Sequence, residues 1–118
     1  MSDARSIMPD PVVRTIAPSS AELAPADRQA QTLTHAMVAG QRQALAELFA
    51  LRCAFVERES ARALAHRVDL VPDAAQEAWL RVARRPVACD HALALDAWLR
   101  RVSVSAAVDL LRADLSRR

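Results

Sequence analysis

Few residues of this chain have the type and spacing that catalysis or metal binding requires. The candidate ligands and nucleophiles are Cys53, Cys89, Asp90, His35, His66 and His91. They lack the short, paired spacings of zinc sites, and Cys53 falls inside a helical pattern, which is a poor position for a nucleophile. The single Gly leaves no room for a phosphate-binding loop. We therefore predict that the chain is not an enzyme and uses no metal and no cofactor.

Other polar side chains have the chemistry of recognition. Asp73, Gln76 and Glu77 could accept hydrogen bonds from the arginines of a partner protein. The last part of the chain, residues 97–118, has five Arg against two Asp. A net charge of +2 does not by itself indicate nucleic acid, but charge separated in this way can serve two partners of opposite sign. The alternative is that both are ordinary solvated helix faces, with acids early and bases late.

Composition predicts an all-α fold. Hydrophobic residues make up 53% of the chain, there is one Gly, and all 16 basic residues are Arg. Alanine, leucine and arginine lose little conformational entropy in a helix, and 118 residues are enough for one domain with a single core. Two cysteines without an export signal, and no apolar run of about 18 residues, predict a soluble, cytoplasmic protein with no membrane partner.

Helix signals divide the chain into a tail and a compact bundle of about four helices. Residues 1–24 contain three prolines and no sustained periodicity, which predicts a mobile N-terminal tail. The helical domain then covers residues 25–118. The predicted helices run from Pro25 to Gly40, from Arg42 to about His66, from Pro72–Asp73 to Pro86, and from Ala92 to Leu115.

The apolar spacing also predicts which faces are buried. In the second helix the buried face comprises Leu45, Leu48, Phe49, Phe55 and Val56. Its opposite face alternates in charge and includes Glu59, which we expect to be solvated. Leu64 and Val68 should close the core after this helix. Trp79 and Trp98 lie on apolar stripes of the last two helices, so we expect both to pack in the core rather than to stack on bases.

Three segments in order resemble region 2 of bacterial sigma-70 family factors, specifically the extracytoplasmic-function group. The first is Gly40-Gln41 followed by Ala44, Leu45 and Leu48. The second comprises Asp73, Gln76, Glu77, Trp79 and Leu80, and the third comprises Trp98, Leu99, Val102, Asp109 and Arg112. The resemblance extends from about Asp27 to Arg118. It does not cover the family's second domain, a helix-turn-helix that reads the −35 element, and Ser105 stands where the family usually has Asn.

The resemblance implies a transcription initiation module with two partners. The clamp helices of the largest subunit of core RNA polymerase would contact Asp73, Gln76, Glu77, Leu80 and Arg81. Promoter DNA of the −10 element would contact the loop from Pro86 to His91, which would hold a flipped base, and the last helix. The expected DNA-binding residues are Arg84, Arg85, Asp90, His91, Arg100, Arg101, Ser105 and Arg112. An anti-sigma factor is a further partner that the family would suggest.

Two other functions stay open at the level of sequence. The chain could keep the polymerase-binding helix without promoter recognition, as an adaptor or competitor. It could also be an unrelated helical bundle that dimerises or binds a small regulator. Binding to core polymerase and to single-stranded DNA distinguishes the three.

Overall fold

The computed structural model describes residues 23–117, which form four α-helices and no strand. They are α1 (Pro25–Val38), α2 (Arg42–Leu64), α3 (Val71–Arg84) and α4 (Ala92–Ser116), with a short 3₁₀ turn (Val68–Leu70) before α3. The predicted all-α bundle is therefore confirmed. The predicted mobile tail, residues 1–24, lies outside the described residues except for its last two positions.

The local sequence explains where α1 begins and ends, but it does not explain where α2 ends. Pro25 starts α1, where a missing backbone N–H costs no hydrogen bond. Gly40, with φ of +90°, turns the chain out of α1 in a conformation that glycine adopts without a steric penalty. The second helix ends two residues before the predicted boundary because Ala65 takes a positive φ of 55°. Nothing in the sequence distinguishes this alanine from its helical neighbours.

α4 is the central element of the bundle and packs against both α2 and α3. Leu95 and Leu99 of α4 are almost completely buried, together with Leu48 and Val56 of α2 and Val82 of α3. Trp98 is also buried, at 7% exposure, as predicted. Burying these aliphatic side chains is the main stabilising contribution to a bundle of this kind.

Three predictions about burial are wrong. Phe49 is 49% exposed and Val68 is 73% exposed, whereas Glu59 is buried at 5% exposure. Phe49 lies at the edge of the α2 stripe, where it meets the half-buried Trp79 of α3 in an edge-to-face contact with ring centroids 5.2 Å apart. Glu59 lies where α4 crosses α2, and its carboxylate is compensated there by Arg62 and Arg100. Val68 lies in the 3₁₀ turn before α3 rather than on a helical stripe. The environments of Phe49 and Glu59 depend on contacts between helices, which helical periodicity does not specify.

None of the helices between residues 23 and 117 combines the length and the apolar character needed to cross a bilayer.

Candidate functional site

The five residues expected to contact polymerase lie together along one groove. This groove, called the α3 groove below, has a volume of about 420 Å³ and runs between α3 and α4. Its lining residues are Asp73, Gln76, Glu77, Leu80, Arg81, Ala106, Asp109 and Leu110. Asp73 and Gln76 are exposed, and Leu80 presents 42% of its surface to solvent. The groove therefore combines polar acceptors with an accessible apolar side chain.

Arg81 is committed to contacts within the protein. Its Nε donates to Glu77 Oε2 at 3.0 Å, its Nη2 to Asp109 Oδ2 at 3.0 Å, and its Nη1 to Ser105 Oγ at 3.2 Å. The hydrogen bond to Glu77, followed by the one to Asp109, raises the pKa of Arg81 above its ordinary value. Arg81 therefore links α3 to α4. Glu77 and Ser105, which we expected to contact two different partners, bind the same guanidinium.

The loop of residues 85–91 is held in place by α1. Thr34 Oγ1 accepts a hydrogen bond from the Cys89 N–H at 2.8 Å. The Thr34 hydroxyl can itself donate to the Ala30 carbonyl oxygen at 2.8 Å or to the Cys89 carbonyl oxygen at 3.1 Å. Asp27 Oδ1 accepts from the Ala92 N–H at 2.8 Å, at the start of α4. Because Thr34 is completely buried, this anchoring is part of the core.

Asp90 and His91, both expected to contact DNA, also have structural contacts. Asp90 Oδ1 lies 3.0 Å from His35 Nε2, and the hydrogen bonds to His35 and Gln31 lower the pKa of the Asp90 carboxyl. His91 Nδ1 accepts from the Ala94 N–H at 3.1 Å and caps the N-terminus of α4. Both side chains stay exposed, so they fix the loop while facing solvent.

Cys89 is buried at 4% exposure beneath this loop. Burial raises the pKa of the Cys89 thiol, and the Asp90 carboxylate adds to that shift while Arg101 opposes it. Since a buried thiol is a poor nucleophile, its environment is that of a core residue.

The expected DNA-binding residues of α4 share one outward face. Arg100, Arg101, Ser105 and Arg112 line a shallow depression of about 450 Å³ together with Val104, Val108 and Asp109. Arg100 Nε lies 3.3 Å from Oε1 of the buried Glu59, so the Arg100 guanidinium is partly neutralised by an ion pair within the protein. Within residues 23–117, no carboxylate pairs with the guanidinium groups of Arg101 or Arg112. Among the residues that the structure describes, Arg101 and Arg112 are thus the cations of this face without a carboxylate partner.

Arg84 and Arg85 lie at the end of α3, beside a pocket that includes the 85–91 loop. Arg84 makes a long contact of 3.7 Å with Glu77, and Arg85 has no carboxylate partner in the described part of the chain. The pocket has a volume of about 520 Å³, and its lining residues are Arg81, Arg84, Arg85, Val87, Trp98, Arg101, Val102 and Ser105. Its walls come from α3, the 85–91 loop and α4. Four of the residues expected to bind DNA, Arg84, Arg85, Arg101 and Ser105, are among its lining residues.

The described residues contain no group of three or more His, Cys, Asp or Glu side chains that could hold a metal ion. Comparison with protein-family models, with curated proteins and with solved structures finds no match to this chain.

Proposed function

We propose that the chain is a sigma-like transcription initiation module that binds core RNA polymerase through the α3 groove and promoter −10 DNA through the 85–91 loop and α4. The observation that carries this proposal is the division of the surface. The α3 groove presents Asp73, Gln76 and Leu80 to solvent, whereas the outward face of α4 presents Arg101 and Arg112.

Each surface has the chemistry that its partner requires. Carboxylate and amide oxygens accept hydrogen bonds from the arginines of a protein, and a central apolar residue such as Leu80 contributes burial. Single-stranded DNA is bound by positive charge along its backbone, which Arg101 and Arg112 can provide without first breaking an ion pair among the described residues. The resemblance of three segments to sigma region 2 supports the same pairing of partners.

Co-purification with core polymerase tests the first surface. Replacing Asp73 and Gln76 together by Ala should abolish or strongly weaken polymerase binding. The matched control is Glu57→Ala with Gln43→Ala, which removes one carboxylate and one amide from exposed positions of α2. Equal retention of polymerase by both double variants would show that the α3 groove is not the interface.

Fluorescence anisotropy with single-stranded −10-type DNA tests the second surface. Replacing Arg101 and Arg112 by Ala should weaken binding and reduce the salt slope by about 1.4, since each phosphate contact on a single strand contributes about 0.7. Arg42→Ala with Arg58→Ala, which removes the same charge from exposed positions of α2, is the matched control. An unchanged slope in the Arg101 and Arg112 variant would remove these residues from the DNA interface.

A polymerase-binding adaptor or competitor without promoter recognition is the second candidate. It is favoured by the internal contacts of two residues expected on DNA, because Ser105 binds Arg81 and Arg100 pairs with Glu59. Under this function the chain would bind core polymerase normally, and −10-type DNA would bind no better than an unrelated single strand.

A further inference from the structure

An apolar groove, called the α2 groove below, lies between the first half of α2 and the second half of α3. It consists of two adjoining cavities of about 390 Å³ and about 350 Å³, which share Arg42 and Leu45. The other lining residues are Met37, Gly40, Gln41, Ala46, Phe49, Trp79, Val82, Ala83 and Pro86. None of these residues lines the α3 groove or the arginine face of α4, so the α2 groove is separate from both.

Two aromatic rings form the accessible wall of the α2 groove. Phe49 is 49% exposed and Trp79 is half-buried. Because the two rings meet only edge to face, each keeps apolar surface that water must hydrate. Grooves lined by aromatic rings bind extended, proline-containing segments in many proteins. The wall therefore has the chemistry to bind such a segment.

Arg42 is the only charged residue that lines the α2 groove. Its side chain is exposed and has no carboxylate partner within residues 23–117. Arg42 is also the first residue of α2, and the first turn of this helix contains no acidic residue and no side-chain cap. A cation beside the positive end of a helix dipole is unfavourable, so a carboxylate supplied from outside the described residues would be stabilised here.

The chain itself contains a segment with matching chemistry. Residues 7–16, IMPDPVVRTI, lie outside the described residues and include five aliphatic or methionine side chains. Pro9 and Pro11 restrict this segment to extended, polyproline-like backbone. Asp10, between the two prolines, is its only acidic residue. The segment thus combines apolar side chains, prolines and one carboxylate, which the rings and the cation of the α2 groove complement.

The connection to α1 is long enough for this segment to reach the groove. α1 begins at Pro25 and is about 21 Å long, and Met37 near its end lines the groove. The 14 residues from Pro11 to Ala24 can span up to about 46 Å when extended. A tether of this length gives an effective concentration in the millimolar range, so that even weak contacts suffice for docking.

We propose that residues 7–16 dock in the α2 groove of the same chain, with their prolines against the rings of Phe49 and Trp79. The Asp10 carboxylate then pairs with the Arg42 guanidinium. Docking covers apolar surface that is otherwise hydrated and compensates the cation at the start of α2. The proposal does not rest on polymerase or promoter binding. A mobile tail, as expected from the sequence, is the opposite outcome of the test.

Trypsin cleavage of the full chain tests the docking, because residues 1–24 contain only two basic residues, Arg5 and Arg14. Arg14 lies within the proposed segment and Arg5 lies outside it. Relative to Arg5, cleavage after Arg14 should be about fivefold or more slower in the full chain than in a synthetic peptide of residues 1–24. Mass spectrometry measures the initial rates. An equal ratio in the chain and the peptide would overturn the proposal.

A charge exchange tests the pairing with Arg42. Asp10→Lys should remove the protection of Arg14, and it adds no cleavage site because trypsin does not cut before proline. Arg42→Glu should also remove the protection, whereas the two substitutions together should restore it. Arg58→Glu, at an exposed position of α2 outside the groove, is the matched control. Absence of recovery in the double variant, or an equal loss in the control, would show that this pair does not form.

The aromatic wall has its own matched pair of variants. Phe49→Ala should reduce the protection of Arg14 by about twofold or more, whereas Leu51→Ala, at a residue that is 44% exposed and does not line the groove, should not. Circular dichroism checks that both variants fold. An equal effect of the two would place the segment elsewhere.

Dilution separates docking within one chain from docking between two chains. Protection of Arg14 should not depend on the concentration of the chain, because the segment and the groove are tethered. Protection that disappears on dilution would place the segment of a second copy in the groove and overturn docking within the chain. None of these measurements involves polymerase or DNA, so failure of this proposal is distinguishable from failure of the proposed function.

Discussion

Arg81 of α3 and Asp109 of α4, 28 positions apart in sequence, are joined by a 3.0 Å hydrogen bond from Nη2 to Oδ2. The same guanidinium also binds Ser105. Arg81 lines both the α3 groove and the pocket between α3, the 85–91 loop and α4, so this link lies between the two cavities.

The link between Arg81 and Asp109 should make a measurable but modest contribution to stability. A double-mutant cycle with Arg81→Met and Asp109→Asn should give a coupling energy of about 0.5–1 kcal/mol, because both side chains are partly exposed and screened by solvent. Urea denaturation measures it. Additive effects of the two substitutions would show that the contact contributes nothing to folding.

Arg100 should contribute more to stability than its neighbour Arg101. The Glu59 carboxylate beneath Arg100 is almost fully buried, and Arg100→Ala leaves it with Arg62 alone. We expect a loss of about 1–2 kcal/mol for Arg100→Ala, against less than about 0.5 kcal/mol for Arg101→Ala. Chemical denaturation of both variants at one pH checks this, and an equal loss would contradict it. For this reason the DNA-binding test above uses Arg101 and Arg112.

Thr34 should be a key residue for the 85–91 loop. Thr34→Val keeps the shape of the side chain but removes the acceptor of the Cys89 N–H and the donor to a buried carbonyl. Leaving a buried donor unsatisfied should cost about 1–3 kcal/mol. Amide hydrogen exchange at Cys89 should also become faster. Thr32→Val, at an exposed position of α1, is the control, and an equal effect of the two would argue against the anchoring role.

The two cysteines should react at different rates. Cys89 is buried and its thiol pKa is raised, so little thiolate is present near neutral pH. Cys53 is only partly buried. Iodoacetamide should therefore modify Cys53 first, and mass spectrometry should detect Cys89 adducts mainly after unfolding or in Thr34→Val. Simultaneous modification of both thiols in the native protein would contradict the described loop.

Acid should release the Asp90 contact with α1. Since His35 and Gln31 lower the pKa of Asp90 in the folded protein, the stabilisation is present above the ordinary carboxyl pKa and is lost as pH falls through the lowered value. Asp90→Asn should therefore be less stable than the native chain near neutral pH, and the difference should disappear in strong acid. Thermal unfolding across this range measures it, and a difference that grows with acidity would have the wrong sign.

The order and type of the helices could be predicted from the chain itself. Pro25 and Pro86 restrict the backbone locally, and Gly40 permits the positive φ that turns the chain out of α1. The apolar spacing around Leu48 and Leu99 requires only a helical period, so these predictions needed no knowledge of neighbours. The faces at helix crossings could not be predicted in the same way. Phe49 touches Trp79 of α3 only edge to face and stays 49% exposed, whereas Glu59 is buried and pairs with Arg100 of α4.

The same distinction between local sequence and contacts between helices applies to the candidate site. The types of residue in the α3 groove and on α4 follow from the sequence, because charge and hydrogen-bonding capacity belong to each side chain. The tertiary structure decides which of the arginines form ion pairs with carboxylates of other helices and which do not. Arg81 and Arg100 meet carboxylates from other helices while Arg101 meets none among the described residues. An ion pair depends on a distance of a few ångströms between residues far apart in the chain, and only the packing of the helices sets that distance.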